Sequence, residues 1–147
     1  MKLQDATGLL TFLMEQRVAT LAVPIDELGT LHIATMNYYH WLDPFALYFI
    51  TSSKSEKCSL LREGKEVAAA CNVGTFYGTP FTLQMRGTAK IISQDDAASI
   101  LDGYFAKRGD KNRNVEGPGS VLLQFTPDWA RFTDYAKGWH ATLLQLP

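Results

Sequence analysis

The sequence predicts a mainly β (α+β) fold, a closed or partly open antiparallel β-barrel of six or more strands with about three flanking helices. Three observations lead there. Apolar stretches rich in β-branched and aromatic residues recur along the chain, separated by turn residues at hairpin spacing. Helical apolar patterns interrupt them at three places, without the regular strand–helix–strand alternation of a parallel sheet. Closing such a sheet on itself removes its exposed edges. A small barrel fills its interior with side chains, so a bulky ligand belongs on the outer wall or at a subunit boundary.

Ala6, Leu9, Leu10 and Leu13 recur at helical spacing behind Asp5 or Thr7 as cap, so the chain opens with a short amphipathic helix. RVATLAVP, Arg17 to Pro24, is apolar at both parities, the pattern of a strand buried on both faces. A turn over Asp26 to Gly29 joins it to one long partner strand from Gly29 to Trp41. Asp43 and Pro44 make the next turn, and a strand from Phe45 to Thr51 follows. Ser53, with Glu56 three residues on, starts a second helix, whose apolar side is Leu60 and Leu61 and whose end is Gly64.

Val67 to Val73 reads as a strand, Val73 to Pro80 as a Gly-rich loop and Phe81 to Ser93 as a second long strand with a bulge or close approach at Gly87. Ala97, Ile100, Leu101, Tyr104 and Phe105 give a third helix, capped by Ser93 or Asp95 and ending before Gly109. The polar tract from Gly109 to Gly119 is expected to be a mobile loop. Short strands over Val121 to Phe125, Arg131 to Tyr135 and about Trp139 to Leu146 finish the chain.

The 147 residues fit one domain, 1–147, and a net charge of −1 argues against nucleic acid as partner. Lys107, Arg108, Lys111 and Arg113 form a basic cluster, but Asp110 and Glu116 are mixed in, which reads as a solvated face. Cys58 and Cys71 lack metal-ligand spacing and read as buried free thiols of a reducing compartment. With neither a leader pattern nor an apolar run near the ~18 residues of a membrane span, the expected location is cytoplasmic. The chain has no P-loop, no G-x-S-x-G and no G-x-G-x-x-G. His32, His40 and His140 match no metal-binding spacing.

ITSSKSEK, from Ile50 to Lys57, is the most informative stretch, because an apolar strand ends there in hydroxyls and a lysine. A strand feeding a capped helix start presents free N–H groups, the positive end of the helix dipole and the Lys57 ammonium. That combination suits a phosphate. The plainer reading is that Ser53 caps a helix and Lys57 is solvated.

RVATLAV, the hairpin after it, LYFITSSKSEK, LQMRGTAKI and FTDYAKGW together resemble the pyridoxamine 5'-phosphate oxidase-like, FMN-binding split-barrel superfamily over most of the chain. The resemblance implies a split antiparallel β-barrel and a homodimer with FMN at the subunit boundary. It assigns cofactor contacts to Thr35, Met36, Asn37 and Tyr38 on the second strand, to Thr51 and Ser52 at a strand end, and to Ser55 and Lys57 beyond it. Thr82 or Gln84 contributes from the LQMRG strand, depending on the alignment of its bulge. Backbone amides near Asn37 and the Gln84 amide suit the polar edge of the flavin ring, whereas Tyr38, Tyr39, Trp41 and Trp139 suit its apolar faces or ordinary packing.

Departures from the family pattern bear on chemistry. Thr35 and Glu56 stand where the oxidase has arginine in its R-x-V-L-L-K and S-R-K motifs, and His40 stands where it has lysine. Two positive charges are therefore missing near the expected phosphate. The oxidase's closing R-x-H-D-R segment has no counterpart, so oxidation of pyridoxamine phosphate itself is not expected. The expected activity is that of an FMN-dependent oxidoreductase on an unknown substrate. The alternatives are a haem- or flavin-binding protein without turnover, with His32, His40 or His140 as an axial ligand, and a structural or regulatory dimer without cofactor.

Overall fold

The computed structural model describes residues 8–75, 77–95, 97–109 and 119–146. Eight strands form one antiparallel sheet: β1 (Val18–Pro24), β2 (Leu31–Asn37), β3 (Tyr39–Leu42), β4 (Phe45–Ser52), β5 (Val67–Val73), β6 (Phe81–Ile92), β7 (Ser120–Asp134) and β8 (His140–Leu144). Their order is β2-β1-β5-β6-β7-β4-β3, and β8 pairs with the second half of β7. Helix α1 (Leu9–Glu15) precedes the sheet and α2 (Ala98–Arg108) joins β6 to β7. This is the split-barrel α+β architecture.

The expected long strand from Gly29 to Trp41 is two strands, and the break at Tyr38 is what curls the sheet. β2 pairs with β1 and β3 pairs with β4, so the two ends of the strand order are joined through one residue. Tyr38 still donates its N–H to Arg17 O, but its ring turns into the core and its hydroxyl donates to Leu13 O at 2.7 Å. At the first turn, Asp26 Oδ1 accepts from the N–H groups of Leu28 and Thr30, and Gly29 takes φ +81°.

The barrel is filled by Leu21 and Val23 of β1, Leu47 and Phe49 of β4, and Leu83 and Phe125 from the long strands, all essentially inaccessible to water. Each contributes roughly 1.5–3 kcal/mol of burial. Leu9, Phe12 and Leu13 of α1 close one end of this core. A second, smaller cluster lies on the outside, where Ala46, Tyr48 and Leu122 meet α2. β1 is not buried on both faces as its composition suggested. Ala19, Leu21 and Val23 face the core, whereas Thr20 and Ala22 are half-buried and Val18 is exposed.

The segment after β4 is not a helix with a capping box. It makes two 3-10 turns, Glu56–Cys58 and Leu61–Glu63, so the described residues contain two α-helices rather than the expected three. The local bonds explain this outcome. Ser53 N–H donates to Gly119 O, Ser55 Oγ donates to Ser52 O, and Ser52 Oγ accepts from Lys54 N–H, a tight turn that competes with helix initiation.

The two short strands expected over Val121–Phe125 and Arg131–Tyr135 are the halves of one strand, β7, which passes through Pro127. A bulge makes this possible. Arg86 pairs with Trp129 and Gly87 with Pro127, leaving Asp128 as the extra residue where proline lacks an N–H. Gly87 is required there, since a Cβ would lie 2.0 Å from Thr126 O.

Gly109, at φ +81°, ends α2 as expected, but Ala97 stands at its N-cap position without a side-chain bond, while Ser93 Oγ accepts from Asp95 N–H. Cys58 and Cys71 are buried free thiols. Asp5 and Thr7, the expected caps of α1, and most of the 109–119 tract lie outside the described residues. No helix among the described residues is long and apolar enough to cross a membrane.

Candidate functional site

Two groups of polar side chains stand out on the sheet. The first lies where β4 ends and the turn after it reaches β2. Glu56 Oε2 is 3.5 Å from His32 Nδ1, so the carboxylate read as a capping partner of Ser53 instead pairs with β2. Ser55 Oγ sits 3.5 Å from Cys58 Sγ and Arg62 Nη1 donates to Ser53 O. Lys57 is half-buried and makes no ion pair among the described residues. Thr51 shares the inward parity of Leu47 and Phe49, while Ser52 points outward opposite Ser120.

The second group is a row across the outer face of the sheet. In register, Thr35 of β2 faces Thr20 of β1, Thr20 faces Asn72 of β5, Asn72 faces Gln84 of β6, and Gln84 faces Arg131 of β7. The hydroxyls of Thr35 and Thr20 are 3.0 Å apart, Asn72 Nδ2 donates to Gly74 O, and Arg131 Nη2 donates to Gln84 Oε1. Beside the row, Arg86 stacks 4.3 Å from the centroid of the Trp129 ring. Three inter-strand steps separate Thr35 from Gln84, about 14 Å along the sheet. Only an elongated ligand touches both.

Beside this row, β1, β2 and β8 present exposed apolar side chains on the outer face. Leu31 is 71%, Ile33 68%, Leu143 63% and Val18 44% exposed, and all four are on the outward parity. Patches of this kind mark interaction surfaces in soluble proteins.

The sequence-assigned residues fall out as follows. Thr35 and Asn37 are outward on β2, Met36 packs inward, and Tyr38 is buried. Thr82 and Gln84 are both outward on β6, with the bulge beyond them. Thr82 is buried with its Oγ1 unpartnered, which leaves Gln84 as the one presented. Three of the four aromatic candidates serve packing. Tyr38 lies under Lys107, Tyr39 abuts Gly103 of α2, and Trp41 joins the outer cluster with its Nε1–H donated to Asp43 O. Trp139 is exposed at φ +65°, edge-on to Tyr135 with centroids 4.7 Å apart. Arg131, Asn72 and Thr20 were missed; the one signal for Arg131 is its alternation with Ala130 and Phe132.

Lys107 corrects the reading of its basic cluster as wholly solvated. Its ammonium donates to Leu13 O at 2.6 Å and lies 3.6 Å from the Tyr38 ring centroid, and burial lowers its pKa to about 7. His40, packed nearby with an unpartnered Nδ1, is pushed down to about 4 by burial and then by the Lys107 charge. The native state therefore refuses a proton that the unfolded chain accepts near pH 6.5. Stability should fall as pH drops from 6.5 towards 4, by roughly 2 kcal/mol after discounting for solvent screening. Denaturant midpoints across that window check this, and His40→Leu should flatten the profile.

A flavin mononucleotide fits these donors. The Ser52 hydroxyl and the Lys57 ammonium, which has no ion pair among the described residues, suit a phosphate, Glu56 beside them opposes one, and the Gln84 amide suits a polar ring edge. Haem fits less well. His40 is enclosed by Tyr38 and Tyr39, His32 is turned to Glu56, and His140 is exposed at the start of β8. A cavity of about 390 Å³ between Trp41 and the start of α2 is lined by no histidine. The described residues hold no cluster of three or more metal-ligating side chains.

No family model and no curated protein matches the sequence. Solved structures match its fold. HutZ, the haem storage protein of Vibrio cholerae, superposes with a TM-score of 0.67 at 12% identity, covering 87% of this chain and 92% of its own. A Listeria innocua protein named for pyridoxamine 5'-phosphate oxidase gives 0.64 at 17% identity, covering 86% and 95%. A protein of unknown function from Agrobacterium tumefaciens gives 0.68 at 14% identity over 84% of this chain, which spans 53% of that longer protein.

Proposed function

We propose that this chain, which has the split-barrel fold of the pyridoxamine 5'-phosphate oxidase-like proteins, is a cytoplasmic homodimer that binds FMN at its subunit boundary. It acts as a small oxidoreductase on a substrate other than pyridoxamine phosphate. The observation that carries this reading is the polar row from Thr35 to Arg131, flanked by the exposed apolar side chains of β1, β2 and β8.

In this reading Leu31, Ile33, Val18 and Leu143 meet their symmetry mates across a two-fold axis. Their burial excludes water from the strip between the subunits. Lys57 supplies the ammonium, and Ser52 the hydroxyl, that hold the phosphate, while Ser55 Oγ, donating to Ser52 O, and the inward Thr51 shape the turn that presents them. Thr35, Asn37 and the adjoining β2 backbone through Met36 and Tyr38 line the wall beside it. Gln84 bonds the ring's polar edge, with buried Thr82 behind it as support. The flavin, when bound, supplies the redox chemistry, so no protein nucleophile is required. The two buried free thiols favour a reducing compartment.

A visible spectrum of the purified protein, with FMN titration and sedimentation, tests this. Two-band flavin absorption or quenched FMN fluorescence, at twice the chain mass, is the expected result. A monomer that leaves FMN fluorescence unchanged removes the reading. A Soret band would instead favour haem binding, the second reading, which the likeness of the fold to that of HutZ supports. A colourless dimer would favour the structural or regulatory alternative.

A further inference from the structure

The outer face of the sheet carries an unusual charge pattern. On the outward parity of β1, β2, β5, β6, β7 and β8 there is no aspartate or glutamate, the bulged Asp128 aside, but there are three cations, Arg86, Lys90 and Arg131. Arg86 stacks on Trp129 and Lys90 is exposed. Arg131 is half-buried and makes no ion pair among the described residues. One of its nitrogens donates to Gln84 Oε1, and its Nε is buried without a partner.

Covering a half-buried guanidinium costs several kcal/mol unless negative charge meets it. Apart from the bulged Asp128, a second copy of this face brings more cations and no carboxylate. An isologous interface here therefore leaves Arg131 to be met by an anionic group between the copies. Arg131 is tied to Gln84, the side chain presented to the polar edge of the ring.

We propose that Arg131 is a binding residue for the flavin's pyrimidine edge and favours the reduced cofactor over the oxidised one. This rests on the FMN reading above. Adding two electrons and one proton to the ring leaves one negative charge, spread over its N1–C2 carbonyl edge, and a guanidinium there stabilises that state selectively. Gln84, by accepting from Arg131, keeps the guanidinium in the plane of the sheet face and leaves its own amide nitrogen to donate.

The test compares wild type, Arg131→Met and Arg131→Lys, with melting curves to confirm folding. FMN affinity is read by fluorescence quenching, and the potential of bound FMN by dithionite titration against a reference dye. Arg131→Met should leave oxidised FMN binding within about threefold while weakening reduced FMN about tenfold, a potential lower by about 30 mV for a two-electron couple. Arg131→Lys should recover part of that difference. Without FMN, Arg131→Met should dimerise more tightly than wild type, because like charges are removed from the interface.

Wild type and Arg131→Met that bind FMN at the same potential overturn the assignment and leave the FMN reading standing. Wild type that binds no FMN overturns both.

Discussion

Substituting alanine for Gly87 is expected to destabilise the fold by roughly 3 kcal/mol, among the largest losses for adding one methyl group to this chain. The added Cβ would meet Thr126 O at 2.0 Å and Pro127 Cα at 2.7 Å, and both are backbone atoms that cannot rotate aside. The consequence reaches the site, because this bulge sets the phase of the second half of β7. Without the extra residue, Arg131 and Ala130 exchange faces, and the guanidinium points into the core instead of towards Gln84. Urea denaturation should show a lower midpoint for Gly87→Ala and little change for Thr88→Ala, its neighbour on the outer face. Equal midpoints for Gly87→Ala and wild type would mean that the strands do not approach so closely.

Lys57→Ala should weaken FMN binding by about 1.5–3 kcal/mol, ten- to a hundredfold in Kd, if the ammonium bonds the phosphate. The structure sharpens this expectation. With no α-helix after β4 and no capping box, there is no helix dipole to share the work, so in the proposed reading it falls to the lysine and the Ser52 hydroxyl. Glu56 lies beside them, held near His32, and repels a phosphate dianion. Glu56→Gln should therefore move affinity the other way. Fluorescence titration at two salt concentrations measures both effects, and the loss in Lys57→Ala should shrink at high salt. An unchanged Kd in Lys57→Ala places the phosphate elsewhere on the barrel.

Legibility in the sequence followed the range of the forces involved. The strands from Val18 to Pro24, Phe45 to Ser52, Val67 to Val73 and Phe81 to Ile92 were readable because alternation and β-branched residues act within a few positions. Gly109 was readable because glycine answers a local backbone demand at a helix end, and Gly87 because a glycine inside a strand marks a bulge or the close approach of another backbone. Ser53 and Glu56 misled for the converse reason. The S-x-x-E pattern is local evidence for a helix, but Gly119, far along the chain, accepts the Ser53 N–H and helps hold the segment as a turn. The same limit hid the break at Tyr38, whose hydroxyl partner is the carbonyl of Leu13.

By itself the chain's order of residues determined a barrel-forming succession of strands, the hairpin turns, the close approach at Gly87 and the hydroxyl-and-lysine segment at Thr51–Lys57. Only the tertiary structure decided that Tyr38 closes the barrel, that Pro127 lies inside a continuous strand, that Glu56 turns to His32, and that Thr35, Thr20, Asn72, Gln84 and Arg131 form one row. The physical reason is register. A strand's own alternation says which residues share a face, whereas which strands lie side by side, and how far they slide, is settled by packing and hydrogen bonds between residues distant in sequence.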